Sequence, residues 1–421
     1  MENKFFEQAE KIVDYFKSTG KAYLTTKNHP FNNDKIVIEG KGSLTNFSIC
    51  DYLKLSTNPQ IIEESIKAVK DNGTYTAISR TYLKLKIYQE AEEIVSKIFN
   101  KPVLLLPRTT LSHISALPII IDRNDAVILD HQVHTTVRIA TDMLKSYGIH
   151  IETIRHNDLD ALKNKYNILK DKYKKVWYFT DGIYSMFGDA LPAKPLLDLL
   201  KKLDKLYLYV DDAHGMSWYG KNGQGYAMTE MGYPDKMFLV TSLGKGFGAG
   251  GSAIVCPNER EYKKILYLGV PLMFTSPVEP ATLGAIIGSA KIHLSDEIYD
   301  RQNKLKNLMD QFYSGAKELD LPLVDFTHTP IAMIATGTPT MTNEIGDYVY
   351  AGNIHATGAI FPAVPYNNSG VRVLITLYQT PEDIDHLLKV LRNAFDKIYE
   401  KRNLSNADIL KHFKIKKPSD L

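Results

Sequence analysis

The sequence predicts an α/β chain with a large, mostly parallel, seven-stranded sheet and a smaller α+β portion at its end. Three observations carry that expectation. From about residue 57 to 256, short apolar runs alternate with longer helical patterns, which is the alternation of βαβ units. The runs are almost continuous in Val, Ile, Leu and aromatic residues, as strands covered by helices on both faces require. The chain, at 421 residues, also exceeds the roughly 250–300 at which one hydrophobic core stops growing. The expected organisation is an N-terminal helix and arm over 1–56, a large domain over 57–290 and a small domain over 291–421.

In chain order, Phe5, Ala9, Ile12, Val13 and Phe16 recur at helical spacing and predict an opening amphipathic helix. The strand-like runs follow: VLLLP at 103–107, AVILD at 126–130, HIETI at 150–154, KVWYFTD at 175–181, LYLYVDD at 206–212, FLVTS at 238–242 and SAIVC at 252–256. Several end in polar residues, namely Asp130, Asp181, Asp211 with Asp212, and Thr241 with Ser242. Ligands of open α/β sheets bind outside the carboxyl ends of the strands, so function is expected there. Beyond 290, helical periodicity through EIYDRQNKLKNLMDQFYSGAKEL leads to two strand-like pieces, PIAMIAT and VRVLITL, and to a helix at PEDIDHLLKVLRNAFDKIYEK. KHFKIKKPSDL reads as a loosely held tail.

Composition narrows the function. With 51 basic and 48 acidic residues, the net charge of +3 is too small and too well mixed to mark a nucleic-acid or membrane partner. Cys50 and Cys256 are the two cysteines, too few for a disulfide framework or a zinc cluster, so no metal is expected. The opening MENKFFEQAEKIVDYFKS lacks the uninterrupted apolar core of a signal peptide, and no stretch reaches the ~18 apolar residues of a membrane span. A cytoplasmic protein is the expectation.

Two motifs carry chemistry. SLGKGFGAGG at 242–251 sets Lys245 just after a predicted strand and among glycines, where the backbone can turn sharply and a planar ligand can approach. A lysine so placed can form an imine. The phosphate-loop pattern is not matched, because Gly246 follows Lys245 instead of Ser or Thr; a plain surface lysine is the alternative. VDDAHG at 210–215 ends another predicted strand. A carboxylate buried there costs several kcal/mol unless it meets a cation, and a pyridinium nitrogen is such a cation. Asp211 is thus a candidate to keep a cofactor ring protonated, with His214 as donor to a ring hydroxyl. A metal-binding aspartate and a satisfied core pair are the alternatives. The spacing between Asp211 and Lys245 leaves room for one helix and one strand, which places both at neighbouring strand ends.

TDGIYSMFGD, VDDAHGMSWYGKNGQG, SLGKGFGAGG and VRVLITLYQTPEDI, in this order, resemble the signature segments of the α-oxoamine synthases, over about Asp51 to Leu388. The resemblance implies a fold-type-I enzyme dependent on pyridoxal phosphate (PLP), joining an α-amino acid to an acyl thioester of coenzyme A or acyl carrier protein with loss of carbon dioxide. It implies a Schiff-base lysine at Lys245, a ring-nitrogen partner at Asp211, a ring-oxygen partner at His214, and a stacking histidine at His134 in DHQVH. Ser185 matches a serine near the ring oxygen, with Asp181 in the site wall, and Ser242 a phosphate-binding hydroxyl. Thr109 and Thr110 fall in the phosphate cup, whose usual pattern is altered here to PRTTLSH. Thr275, in FTSP, matches a residue reaching the neighbouring subunit's phosphate, which implies a homodimer with shared active sites. Arg372 matches the arginine that grips the substrate carboxylate, a task suited to its permanently charged fork.

Other departures bear on the substrate. Asp51 stands where the family has asparagine, so an ionised Asp51 either turns away from an ordinary α-carboxylate or meets a substrate with a positive group. Along the implied acyl-donor channel, Ser79 and Arg80 survive while Gln89 replaces a histidine. An aminotransferase, or an amino-acid decarboxylase or lyase, is the second enzymatic reading, since fold and cofactor do not fix reaction type. The third is a catalytically inactive binding protein on the same fold.

Overall fold

The computed structural model describes residues 4–27 and 35–413, and the end of the expected tail, 414–421, lies outside them. Two compact units divide the chain. One draws on Met1–Lys54, Ser185–Asp189 and Asn303–Leu421, the other on Leu55–Tyr184 and Ala190–Gln302.

The second unit is built on one seven-stranded sheet, and all seven apolar runs are its strands. Their order across the sheet is Val103–Leu106, Ser252–Val255, Met237–Ser242, Leu206–Asp211, Val176–Asp181, Ala126–Asp130 and His150–Ile154. The pairs from Met237–Ser242 to His150–Ile154 are parallel. Every residue of Val176–Asp181 is buried, because one face packs into a core with Leu208, Val210 and Leu239 and the other into a core with Tyr209, Val240 and Ile254. Each such aliphatic side chain contributes roughly 1.5–3 kcal/mol by leaving water, so the continuous apolar runs are explained by burial on two sides.

Ser252–Val255 is the exception in direction, antiparallel to both neighbours. The cause is the connection: residues 243–251 are too few for the crossover helix that a parallel return needs. They form instead a wide hairpin loop, closed by Leu243 N–H donating to Gly251 O at 3.0 Å and Ala249 N–H to Leu243 O at 3.0 Å. Gly248 holds φ +72°, and a Cβ there would fall 2.4 Å from Leu55 Cβ, so the position admits only glycine. This loop carries Lys245.

In the first unit, Ile331–Gly337, Ser369–Leu374 and Thr357–Ala359 form a three-stranded sheet with antiparallel neighbours. The helix Pro381–Arg402 starts at a capping box between Thr380 and Asp383, with proline in its first turn. The opening helix spans Lys4–Ser18. Phe16 is buried and Ala9, Ile12 and Val13 are half-buried, while the Phe5 side chain lies outside the described residues. A second small sheet joins Lys35–Ile38, Gly42–Asn46 and Ile354–His355.

Candidate active site

The parallel strands Val176–Asp181 and Leu206–Asp211 run in register to their ends, where Asp181 faces Asp211 across the ladder. Both carboxyls are buried. Asp211 Oδ1 accepts from Ala213 N–H at 3.0 Å, and Oδ2 accepts from His113 Nε2 at 3.1 Å. Burial drives the Asp211 pKa up, but the His113 hydrogen bond, followed by the charges of His113, Lys245 and His134, holds it below the ordinary carboxylate value. Asp181 goes the other way. Burial, and then the Asp211 charge, raise it well above that value, so Asp211 is the anion of the pair.

Asp212 is turned to other work. Its Oδ2 accepts from Ala227 N–H at 2.9 Å, and burial pushes its carboxyl up to about 8 against the pull of that amide. A Cβ on Gly182, Gly215 or Gly225 would lie 2.0, 2.1 or 2.5 Å from an Asp212 oxygen. The three glycines therefore clear the space that this side chain occupies. Gly182→Ala is expected to destabilise the protein by about 1–3 kcal/mol through overpacking, and thermal unfolding at neutral pH checks it.

Lys245 Nζ lies 2.8 Å from His214 Nε2. His214 is set by the turn after Asp211, and its carbonyl accepts from Trp218 Nε1 at 2.7 Å. His134 caps the helix Thr135–Ser146, with Nδ1 2.8 Å from Thr136 Oγ1 and accepting from Thr136 N–H. Its own amide donates to Asp181 at 3.1 Å. Burial, and then the charges of Lys245 and His113, lower its pKa against the pull of Asp211, so the ring is neutral with Nε2 carrying the hydrogen.

Thr109 and Thr110 open the helix Thr109–Ile120, whose N-cap residue Arg108 makes no side-chain cap; its guanidinium bonds Pro107 O at 2.6 Å. The first amides of this helix thus lack a side-chain acceptor, an arrangement that favours an anion. Ser242 Oγ accepts from Gly244 N–H at 3.2 Å. Thr275 donates its hydroxyl to Pro271 O at 2.6 Å.

Asp51, Ser185 and Arg372 belong to the first unit and the other candidates to the second. Arg372 is 8% exposed. Its Nε donates to Ser185 O at 2.7 Å, and among the described residues its two terminal nitrogens bond no protein group. Asp51 accepts from Tyr378 O–H at 3.0 Å. Ser79 Oγ accepts from Thr81 N–H. Arg80 is committed to the fold: its Nη2 pairs with Glu92 at 2.9 Å, its Nη1 reaches Leu105 O, and the guanidinium lies 4.3 Å from the Tyr88 ring centre. The sequence reading missed His113, Tyr209 and the supporting role of Asp212. The one available signal was spacing, since Tyr209 precedes Asp211 by two on a strand and therefore shares its face.

Three comparisons bear on this arrangement. The model of the family described as aminotransferase class I and II matches residues 43–391. The chain is 26% identical over 398 residues to an 8-amino-7-oxononanoate synthase of Thermoanaerobacter pseudethanolicus, covering 94% of this chain and 97% of that one. It is 28% identical over 409 residues to the enzyme of the same name from Petrotoga mobilis, covering 94% and 98%. Among solved structures, a serine palmitoyltransferase from S. paucimobilis with bound PLP superimposes with a TM-score of 0.85 at 18% identity, over 94% of this chain and 99% of that one. An 8-amino-7-oxononanoate synthase from Francisella tularensis gives 0.71 at 20% identity, over 85% and 99%. The structural likenesses bear on the fold.

Proposed function

Because the chain belongs to the aminotransferase class I and II family, and is thereby a PLP-dependent transferase, we propose that it joins an α-amino acid to an acyl thioester with loss of carbon dioxide. The observation that carries the reading is the pairing of an anionic Asp211 with Lys245 at adjacent strand ends, in a chain matched almost end to end by 8-amino-7-oxononanoate synthases. The name of their product describes an amine beside a ketone, which is what such a condensation leaves.

The residues fit the cofactor. Asp211 would supply a buried anion for the ring nitrogen, Lys245 an amine for the aldehyde carbon, and His214 a donor toward the ring oxygen, a role proposed for Ser185 as well. Thr109, Thr110, Ser242 and the uncapped helix start suit a phosphate. Bound PLP withdraws electrons from the substrate α-carbon, provided its ring nitrogen stays protonated. The chain's own groups do the rest. Asp211 keeps the proton on that nitrogen, and the neutral His134 offers a flat face and an Nε2–H. Lys245 Nζ, 2.8 Å from His214 Nε2, would take the α-proton as a general base once it is free as an amine. Arg372 is proposed to orient the substrate carboxylate through its terminal nitrogens, and Asp51 to select among amino acids. Arg372→Lys keeps the charge and loses the fork, so KM for the amino acid is expected to rise roughly tenfold, with a smaller change in kcat; steady-state kinetics decide.

Coenzyme A or an acyl carrier protein is the proposed acyl donor, with Ser79 along its path; Arg80, held by Glu92, supports that wall. A homodimer is also proposed. Tyr82, Leu83, Tyr267, Leu268, Val270 and Phe274 are exposed on the second unit at 55–85%, apolar side chains that a second copy of the chain would cover. Thr275, next to Phe274, is the proposed contribution to the neighbour's phosphate. Phe274→Asp is expected to shift the species seen by light scattering from dimer toward monomer. No helix among the described residues is long and apolar enough to cross a membrane, and the free Cys50 and Cys256 suit the reducing cytoplasm proposed for it.

The direct test is an amino-acid screen with and without acyl thioesters, following free thiol and carbon dioxide. The reading expects both to appear together in a substrate-dependent way. A keto acid formed with no thioester consumed makes the protein an aminotransferase instead. Carbon dioxide released with no thiol makes it a decarboxylase.

A further inference from the structure

Behind Asp211 stands a histidine with a fully buried side chain. His113, on the helix Thr109–Ile120, bridges two residues of one strand: Nε2 is 3.1 Å from Asp211 Oδ2, and Nδ1 is 2.7 Å from the Tyr209 hydroxyl. Tyr209 and Asp211 lie two apart on Leu206–Asp211, so both point to the same side of the sheet.

The two contacts leave one neutral arrangement. An ionised carboxylate only accepts, so Nε2 carries the hydrogen. Nδ1 then accepts, and the Tyr209 O–H, which has no other hydrogen-bond partner among the described residues, donates to it. Burial, and then the Asp211 charge, hold the Tyr209 pKa well above its ordinary value, which keeps that hydroxyl a donor.

We infer that His113 is the positioning residue that orients Asp211 and keeps it anionic, with Tyr209 fixing the tautomer that lets it do so. The inference rests on the proposal that Asp211 faces the cofactor's ring nitrogen. Each carboxylate oxygen has two lone pairs, so Oδ2 can take the His113 hydrogen and still accept from a ring N–H. The other charged or titratable groups around Asp211 are Asp181 across the ladder, the adjacent Asp212, Tyr209 on the same strand, Lys245 from the hairpin loop and His134 from its helix start. Lys245 and then His134 favour ionisation electrostatically, while Asp181, raised well above its ordinary value, stays protonated and brings no opposing charge. His113 alone among these side chains makes a hydrogen bond to the carboxylate.

The pH consequence follows from that division. His113 depresses the Asp211 pKa, so removing it raises that pKa. The acid limit of cofactor binding, where Asp211 takes up a proton, then moves to higher pH.

The test titrates PLP into apo wild type, His113→Ala, His113→Gln and Tyr209→Phe over a range of pH, reading cofactor absorbance alongside the apo melting temperature. His113→Ala is expected to bind PLP roughly tenfold or more weakly, as loss of a hydrogen bond to a charged group implies, with its acid midpoint raised. His113→Gln keeps an N–H donor and is expected to recover most of the affinity. Tyr209→Phe should fall between wild type and His113→Ala. An Ala variant with wild-type affinity and midpoint, losing only thermal stability, overturns the inference. If that variant does not fold, Tyr209→Phe decides alone, and wild-type behaviour in it is the refuting result. Failure of the wild type to load PLP on Lys245 under borohydride refutes instead the reading on which the inference rests.

Discussion

Lys245→Ala is expected to lower turnover by about a thousandfold or more, because the side chain is proposed to serve twice, as the cofactor's tether and as the base for the α-proton. General-base catalysis alone is commonly worth about 10²–10⁴. The fold should survive, since the loop over 243–251 is closed by main-chain bonds such as Leu243 to Gly251 that the amine does not join. The variant should also still bind PLP through Asp211 and the helix start at Thr109. Kinetics with the best substrate pair, together with mass analysis after borohydride reduction, check both halves: slow turnover and no label on the 245 peptide. Turnover within tenfold of wild type would remove Lys245 from the chemistry.

Asp211→Asn is the second large effect. The amide keeps the shape and still accepts from His113 through its oxygen, but it brings no charge to the ring nitrogen. Removing one member of a buried ion pair costs about 3–5 kcal/mol, which corresponds to a fall of about two to four orders of magnitude in kcat/KM. In the wild type the carboxyl is held below its ordinary value, so the anion persists above that lowered pKa and is lost as pH falls through it. Activity should therefore decline on the acid side in the wild type, while Asp211→Asn lacks that limb. A pH–rate profile of the two proteins separates charge from shape. An Asn variant with wild-type activity and profile would show that the carboxylate is not needed as an anion.

The apolar strands were legible because burial on both faces leaves no polar alternation to confuse the pattern, as in Val176–Asp181. The reversed direction of Ser252–Val255 was not marked by its composition, which matches the parallel strands of the same sheet; only the short connection holds that information. Lys35–Ile38 and Gly42–Asn46 escaped notice because they are short and flanked by polar residues. Within the site, Asp211, His214 and Lys245 could be read because each follows closely on a strand end. His113 could not. It sits in a helix that is apolar over much of its surface and contains Pro118, so no helical stripe marked which way it points. Arg80 looked available in the sequence because its partner Glu92 comes from a different element, and local pattern does not reveal such pairings.

The hairpin that carries Lys245 has its two arms locked into the same sheet, with Ser242 opposite Ser252 and Leu239 opposite Val255. Its length is consequently quantised. One inserted or deleted residue between 243 and 251 must either bulge out locally or slide an arm by one step, turning inward-facing side chains outward along that arm. Related sequences can be expected to vary in the identity of the residues here other than Lys245 and Gly248, yet to be nearly intolerant of indels.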